Sequence, residues 1–130
     1  MKILQPPRWP RPKGYSNGVV ASGRTVFVSG MIGWNKKGEI VSPEFVAQVA
    51  QALRNIVEVL AEANAKPEHI VRMNWYLLDK KEYVNAYKQL GATYRKIIGS
   101  HFPAMTAVQV ASLIEDAARV EIEVTAVVPE

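Results

Sequence analysis

Two carboxylates, Glu121 and Glu123, stand two residues apart in the run VEIEVTAV, and they are the side chains best placed to do chemistry. Alternate residues of a strand share a face, so Glu121, Glu123 and Thr125 point one way and Val120, Ile122 and Val124 the other. A carboxylate on a rigid strand can orient water for attack on a bound electrophile. The same alternation also describes a plain polar sheet face. His101, before Phe102-Pro103, could titrate beside a cleft or sit at the surface of a helix-to-strand connection. His69 follows Pro67 in a turn, where a structural role is expected. Tyr15 and Trp34 could wall a pocket with polar handles, or pack in a core or an interface.

Other chemistry has little foothold. The chain has no cysteine, which removes disulfides, thiolate nucleophiles and sulfur-ligated metals and suits a reducing compartment. Two histidines without HExxH or GxGxxG spacing leave zinc, nucleophilic and dinucleotide chemistry unsupported. No metal and no cofactor are expected. The net charge of +4 lies wholly in Lys2, Arg8, Arg11 and Lys13; from residue 14 onward twelve basic residues face twelve acidic ones. Without a clustered basic stripe, a nucleic-acid partner is not expected.

At 130 residues, 48% of them hydrophobic, the chain fits one domain with a real core. Prolines break MKILQPPRWPRPKGY before an apolar leader can form, and no run approaches the roughly 20 residues of a membrane span. A cytoplasmic protein is expected. Residues 1–17, rich in proline and basic side chains, suggest an extended arm.

The positioning elements follow from periodicity. GVVASGRTVFVSG predicts a hairpin turning at Ser22-Gly23, and MIGWNKKGEIV a loop apolar enough to line a pocket or interface. Ser42-Pro43 is a helix start. Val46, Val49, Leu53, Ile56, Val57 and Leu60 then recur at three and four residues, predicting a helix to about Asn64. VRMNWYLL predicts a strand with both faces largely apolar. Asp79 and Glu82 resemble a capping box opening a second helix to Gly99, interrupted at Gly91. Strands over Ala104–Ala111 and Arg119–Val127 complete the order β-β-α-β-α-β-β. Two helices cover only one sheet face, so a symmetric oligomer on the other is expected.

The assembled pattern, Tyr15 before a hairpin, Val28-Ser29-Gly30-Met31-Ile32, FPAMTAVQVA and VEIEVTAV, resembles the RidA/YjgF family of endoribonuclease L-PSP-like proteins over essentially the whole chain. The resemblance implies a chorismate-mutase-like α+β fold and a homotrimer whose sheets form a central barrel with three inter-subunit clefts. It also implies cofactor-free hydrolysis of reactive enamines and imines to 2-oxo acids and ammonia. Tyr15, Ser29, Gly30 and Glu121 match cleft positions. Deaminating members carry Pro-Ala-Arg, whose arginine grips the substrate carboxylate with a planar fork; here the run is Pro103-Ala104-Met105. A frequent helix asparagine corresponds to Gly91 and a frequent cysteine to Ala107. The cleft so implied has Glu121 as the water-orienting residue and Tyr15, Ser29, Gly30, Trp34, Gly91, Met105 and Ala107 as its lining. Met105 offers no cation, so substrate scope is expected to differ; Arg95 or Arg119 reaching in from a neighbouring subunit could replace it. The alternative is a trimer that binds a small metabolite or regulates without turnover; RNA cleavage or translation inhibition has the least support.

Overall fold

The computed structural model describes residues 1–130. The chain forms strands β1 (Lys2–Leu4), β2 (Gly18–Val20) and β3 (Arg24–Met31), helix α1 (Phe45–Ala61), and strand β4 (Ile70–Leu77). Helices α2 (Lys80–Asn85) and α3 (Tyr87–Ile97) and strands β5 (Ala104–Gln109) and β6 (Val120–Val128) follow. Four strands make the main sheet in the order β3-β6-β4-β5. β6 pairs antiparallel with both β3 and β4, and β4 pairs parallel with β5. The family's α+β architecture is therefore present. No helix is long and apolar enough to cross a membrane.

The core lies between one sheet face and the helices. In β6, Val120, Ile122, Val124, Ala126 and Val128 are buried, as the alternation of its sequence requires. Met73, Trp75 and Leu77 of β4 join them, and α1 contributes Phe45, Val49, Ala52, Leu53, Ile56 and Leu60. Each fully buried side chain such as Leu53 or Ile56 contributes about 1.5–3 kcal/mol. Gln48 interrupts the apolar stripe of α1 and is completely buried. Its Nε2 donates to the carbonyls of Ser42 (2.9 Å) and Ala117 (3.0 Å), and its Oε1 accepts from the Arg119 amide (2.8 Å). One amide thus ties the start of α1 to the β5–β6 connection.

Several local expectations change. The hairpin joining residues 18–20 to 24–31 does not form, because β2 pairs antiparallel with β1 instead. Ser16 explains the diversion: its amide donates to Pro103 O (2.9 Å), its hydroxyl donates to Phe102 O, and it bridges Ala104. The chain must then cross the end of the sheet from β5 to β3, and the expected extended arm folds back into a two-stranded ribbon. The first helix begins at Phe45 rather than at Ser42-Pro43; the Ser42 hydroxyl accepts from the Glu44 amide (3.0 Å) just ahead of it. The second helix is two. After the poor helix formers Val84 and Asn85, Ala86 leaves helical geometry at φ −106°, ψ 12°. Asp79 caps α2 through the Lys81 amide (2.9 Å), but Glu82 turns to Arg119 instead of closing a capping box.

Candidate functional site

The sheet face away from the helices carries the candidate chemistry. β6 presents Glu121, Glu123 and Thr125 there, β3 presents Phe27 and Ser29, and β4 presents Arg72, Asn74 and Tyr76. This face of β4 is polar, not largely apolar as VRMNWYLL suggested, since Arg72, Asn74 and Tyr76 alternate against Met73, Trp75 and Leu77. Phe27 is 78% exposed and Val108, in register with Tyr76, is 44% exposed. A depression of about 360 Å³ opens among Phe27, Ser29, Asn74, Glu123 and Thr125.

The two carboxylates differ in what holds them. Glu123 Oε1 accepts from both Tyr76 Oη (2.6 Å) and Asn74 Nδ2 (3.0 Å). The hydrogen bond to Glu123 pushes the Tyr76 phenol above its ordinary value, helped by desolvation and by the charges of Glu123 and Glu121, with Arg72 opposing. Tyr76 therefore stays a protonated donor and Glu123 a fixed acceptor. Glu121 pairs in register with Tyr76 yet forms no hydrogen bond or ion pair within the chain. Its carboxylate lies against Gly30, where a Cβ would sit 2.8 Å from Cδ and 2.9 Å from Cγ. Glycine at that position clears the space the carboxylate occupies.

The remaining cleft candidates lie elsewhere. Met105 is in register with the buried Met73 and packs against the core, so it points to the helix side of the sheet. Ala107, opposite the buried Trp75, shares that side. Tyr15 precedes the Ser16 bridge to Ala104, which brings it to the same sheet edge. Gly91 lies on α3, with the Arg95 guanidinium across it: a Cβ there would approach Nη1 to 3.3 Å. Glu121 and Met105 therefore occupy opposite faces, with β4 between their strands. Ser29, Gly30 and Glu121 form one group; Met105 and Ala107 lie on the opposite face of the sheet, with Tyr15 near its β5 edge and Gly91 on α3.

Trp34 joins neither group. Asn55 of α1 donates to the carbonyls of Ile32 (3.2 Å) and Trp34 (2.9 Å), holding the loop against the helix. Trp34 lines a groove of about 610 Å³ with Met31, Asn55, Glu58, Val59 and Glu62. Gly33 permits this approach, since a Cβ there would lie 2.7 Å from the Gln48 Cα. Both histidines hold backbone: His69 Nδ1 accepts from the Lys66 amide (2.9 Å), and His101 Nε2 bonds Ile70 O (2.6 Å). No three His, Asp or Glu side chains converge as a metal set. Sequence reasoning missed Asn74 and Tyr76, although their alternation with Met73 and Trp75 was a usable signal.

Comparison with known proteins gives a consistent picture. Residues 9–128 match the family model described as endoribonuclease L-PSP. The chain is 33% identical over 114 residues to the 2-iminobutanoate/2-iminopropanoate deaminase of Homo sapiens, covering 87% of this chain and 79% of that protein. It is 35% identical over 130 residues to a RutC family protein of Aquifex aeolicus, covering 98% and 99% respectively. A crystal structure of YyfB, a Rid-family protein of unknown function from Yersinia pestis, superposes with a TM-score of 0.83 at 31% identity over 98% of each chain.

Proposed function

The chain belongs to the RidA/YjgF family of endoribonuclease L-PSP-like proteins, and from that premise we propose that it is a cofactor-independent hydrolase of reactive imines and enamines, working in the cytoplasm. The observation that carries this reading is the unengaged Glu121 carboxylate, held over Gly30 beside the fixed Glu123. A relative bearing the name 2-iminobutanoate/2-iminopropanoate deaminase supports the reaction class.

In this mechanism Glu121 accepts a proton from water as the water oxygen attacks the carbon of the protonated imine, giving a carbinolamine. The protonated carboxyl returns that proton to nitrogen and then takes the hydroxyl proton as the C–N bond breaks, so that a carbonyl compound and ammonia leave. An enamine first takes a proton at carbon to become the protonated imine. The electrophile is already reactive, so positioning of water supplies most of the acceleration.

The separation of Glu121, Gly30 and Ser29 from the other cleft candidates supports a homotrimer. Glu121, Gly30 and Ser29 of one subunit would meet Tyr15, Gly91, Met105 and Ala107 of the next, completing a small-molecule cleft. The exposed Phe27 and Val108 fit burial in such a contact. Met105 in place of a carboxylate-binding arginine alters the substrate range.

The test is ammonia release from enamines generated in place by an amino-acid oxidase or lyase. Acceleration by the purified protein is expected, with Glu121→Gln losing on the order of 100-fold. No acceleration over buffer with acidic or neutral enamines would sink the proposal. The apolar packing of Met105 favours one second reading, a trimer that binds a metabolite without turnover. Its sign is saturable thermal stabilisation by ligand with no product formed.

A further inference from the structure

We infer that Glu123 is a positioning residue that draws the Tyr76 hydroxyl away from Glu121 and so keeps the Glu121 carboxylate free; the inference rests on the reading of Glu121 as the base and names what holds it in that state. The strand register makes such a device necessary. β4 and β6 pair antiparallel with Tyr76 directly opposite Glu121 and Asn74 opposite Glu123. A phenol opposite a carboxylate on one sheet face is its natural cross-strand donor, and an ionised acceptor makes the bond strong. Yet the Tyr76 hydroxyl passes over the residue opposite it and donates diagonally to Glu123 Oε1 at 2.6 Å.

Two features of the sheet produce the diagonal. Asn74 donates to the same oxygen from directly across the pair (3.0 Å), which holds the Glu123 carboxylate on the β4 side. Glu121 goes the other way: β6 lies between β3 and β4, and the Glu121 carboxylate fills the space left open at Gly30 of β3. The two acids stand two residues apart, about 7 Å along the strand, so their mutual repulsion favours the same splaying to opposite sides. Tyr76 still feels both, since the charges of Glu123 and of Glu121 each favour its protonated form. Arg72, the arginine of this face, forms no ion pair with either carboxylate; the chain's one ion pair joins Arg119 and Glu82. The donors of β4 are thereby taken up by Glu123, and Glu121 keeps its lone pairs for water.

That freedom matters for a base. A hydrogen bond from a phenol stabilises an ionised carboxylate and so weakens it as a proton acceptor. Without Glu123, the Tyr76 hydroxyl would be left with Glu121 as the acceptor opposite it, and proton transfer from water would slow. The expected loss is about 10- to 100-fold, the range that one hydrogen bond to a charged group supplies. Glu123 thus acts on Glu121 through Tyr76, and removing the Tyr76 hydroxyl should cancel the effect.

The experiment follows that dependence in the full-length protein. Ammonia release should fall about 10- to 100-fold in Glu123→Ala, and by less in Glu123→Gln, whose amide oxygen can still accept from Tyr76. Adding Tyr76→Phe to Glu123→Ala should bring the rate back to within about three-fold of wild type, a rescue that a merely structural role for Glu123 would not allow. A crystal structure of Glu123→Ala gives a readout that needs no turnover: the Tyr76 hydroxyl is expected within about 3 Å of a Glu121 carboxylate oxygen. Wild-type activity in Glu123→Ala, a loss that Tyr76→Phe does not relieve, or a Tyr76 hydroxyl that stays out of hydrogen-bond reach of Glu121 overturns the inference. The two ideas fail separately: capture of Glu121 by Tyr76 in the crystal, with no imine hydrolysis by wild type, leaves the role of Glu123 standing and removes the hydrolase.

Discussion

The carboxylate of Glu121 occupies the volume that a side chain at Gly30 would need, so the two residues, on adjacent strands, constrain one another directly. Gly30 is not in a left-handed conformation, and its requirement is for space alone.

Gly30→Ala should therefore act through Glu121. The added methyl displaces the carboxylate, and a misplacement of about 1 Å can cost on the order of 100-fold in rate. Ammonia release is expected to fall toward the level of Glu121→Gln. The double variant should lose little more than either single one, because both remove the same positioned base. Full activity in Gly30→Ala would show that the carboxylate position is immaterial.

Gln48→Leu should be among the most damaging single changes in the chain. It leaves the Ser42 and Ala117 carbonyls and the Arg119 amide without their partner. At about 1–3 kcal/mol for each buried group left unsatisfied, a loss of at least 3 kcal/mol is expected. Urea denaturation measures it as a lower midpoint with an unchanged slope. A loss under 1 kcal/mol would mean that water replaces the amide.

Asn55→Ala should release the loop carrying Trp34 without touching the carboxylates. The Ile32 and Trp34 carbonyls lose their donor, at a cost of about 1–2 kcal/mol. Trypsin should then cut faster after the exposed Lys36 and Lys37, while hydrolysis of a small imine persists. Unchanged cleavage would place the loop's anchorage elsewhere.

Alkaline pH should unfold the protein through its tyrosines. Burial raises the phenols of Tyr94 and Tyr83, and hydrogen bonding to Glu123 raises that of Tyr76. A group with a raised folded value stabilises fully below its unfolded value, about pH 10 for tyrosine, and loses that contribution as pH rises through the folded one. Melting temperatures should hold steady up to about pH 9.5 and fall steeply above pH 10. Tyr94→Phe should begin lower, having lost the bond to His101 O, but decline less steeply. Equal slopes would remove Tyr94 from the transition.

Much of this was legible in one dimension. The alternation in VEIEVTAV placed Glu121 and Glu123 on one face, and the spacing of Val49, Leu53, Ile56 and Leu60 identified the buried stripe of α1. Where local signals were weak, tertiary contacts decided. Ser22-Gly23 has hairpin composition, but the fastening of Ser16 to residues 102–104 draws β2 away from β3. Glu82 sat at capping-box spacing and was taken instead by Arg119, far along the chain. Trp34 and Glu121 looked like members of one pocket because both belong to positions suited to ligand contact; only the Asn55 bonds show the loop committed to α1. The family resemblance supplied the architecture, whereas the split of the cleft residues between two sheet faces required the strand register.

β6 is synthesised after the three other strands of its sheet yet lies second in the four-stranded order, bonded on both sides, with Arg24 opposite Val128. Neither β3 nor β4 finds its antiparallel neighbour until residues 120–128 have left the ribosome. Pairings of such large sequence separation form slowly, because the loop they close must be ordered first. During translation the nascent chain therefore exposes the apolar edges of β3 and β4 at once, and residues 120–128 act as the wedge that seals them. A nonsense change shortly before residue 120 would yield two unpaired strand edges and a product prone to aggregate, rather than a smaller version of the same domain.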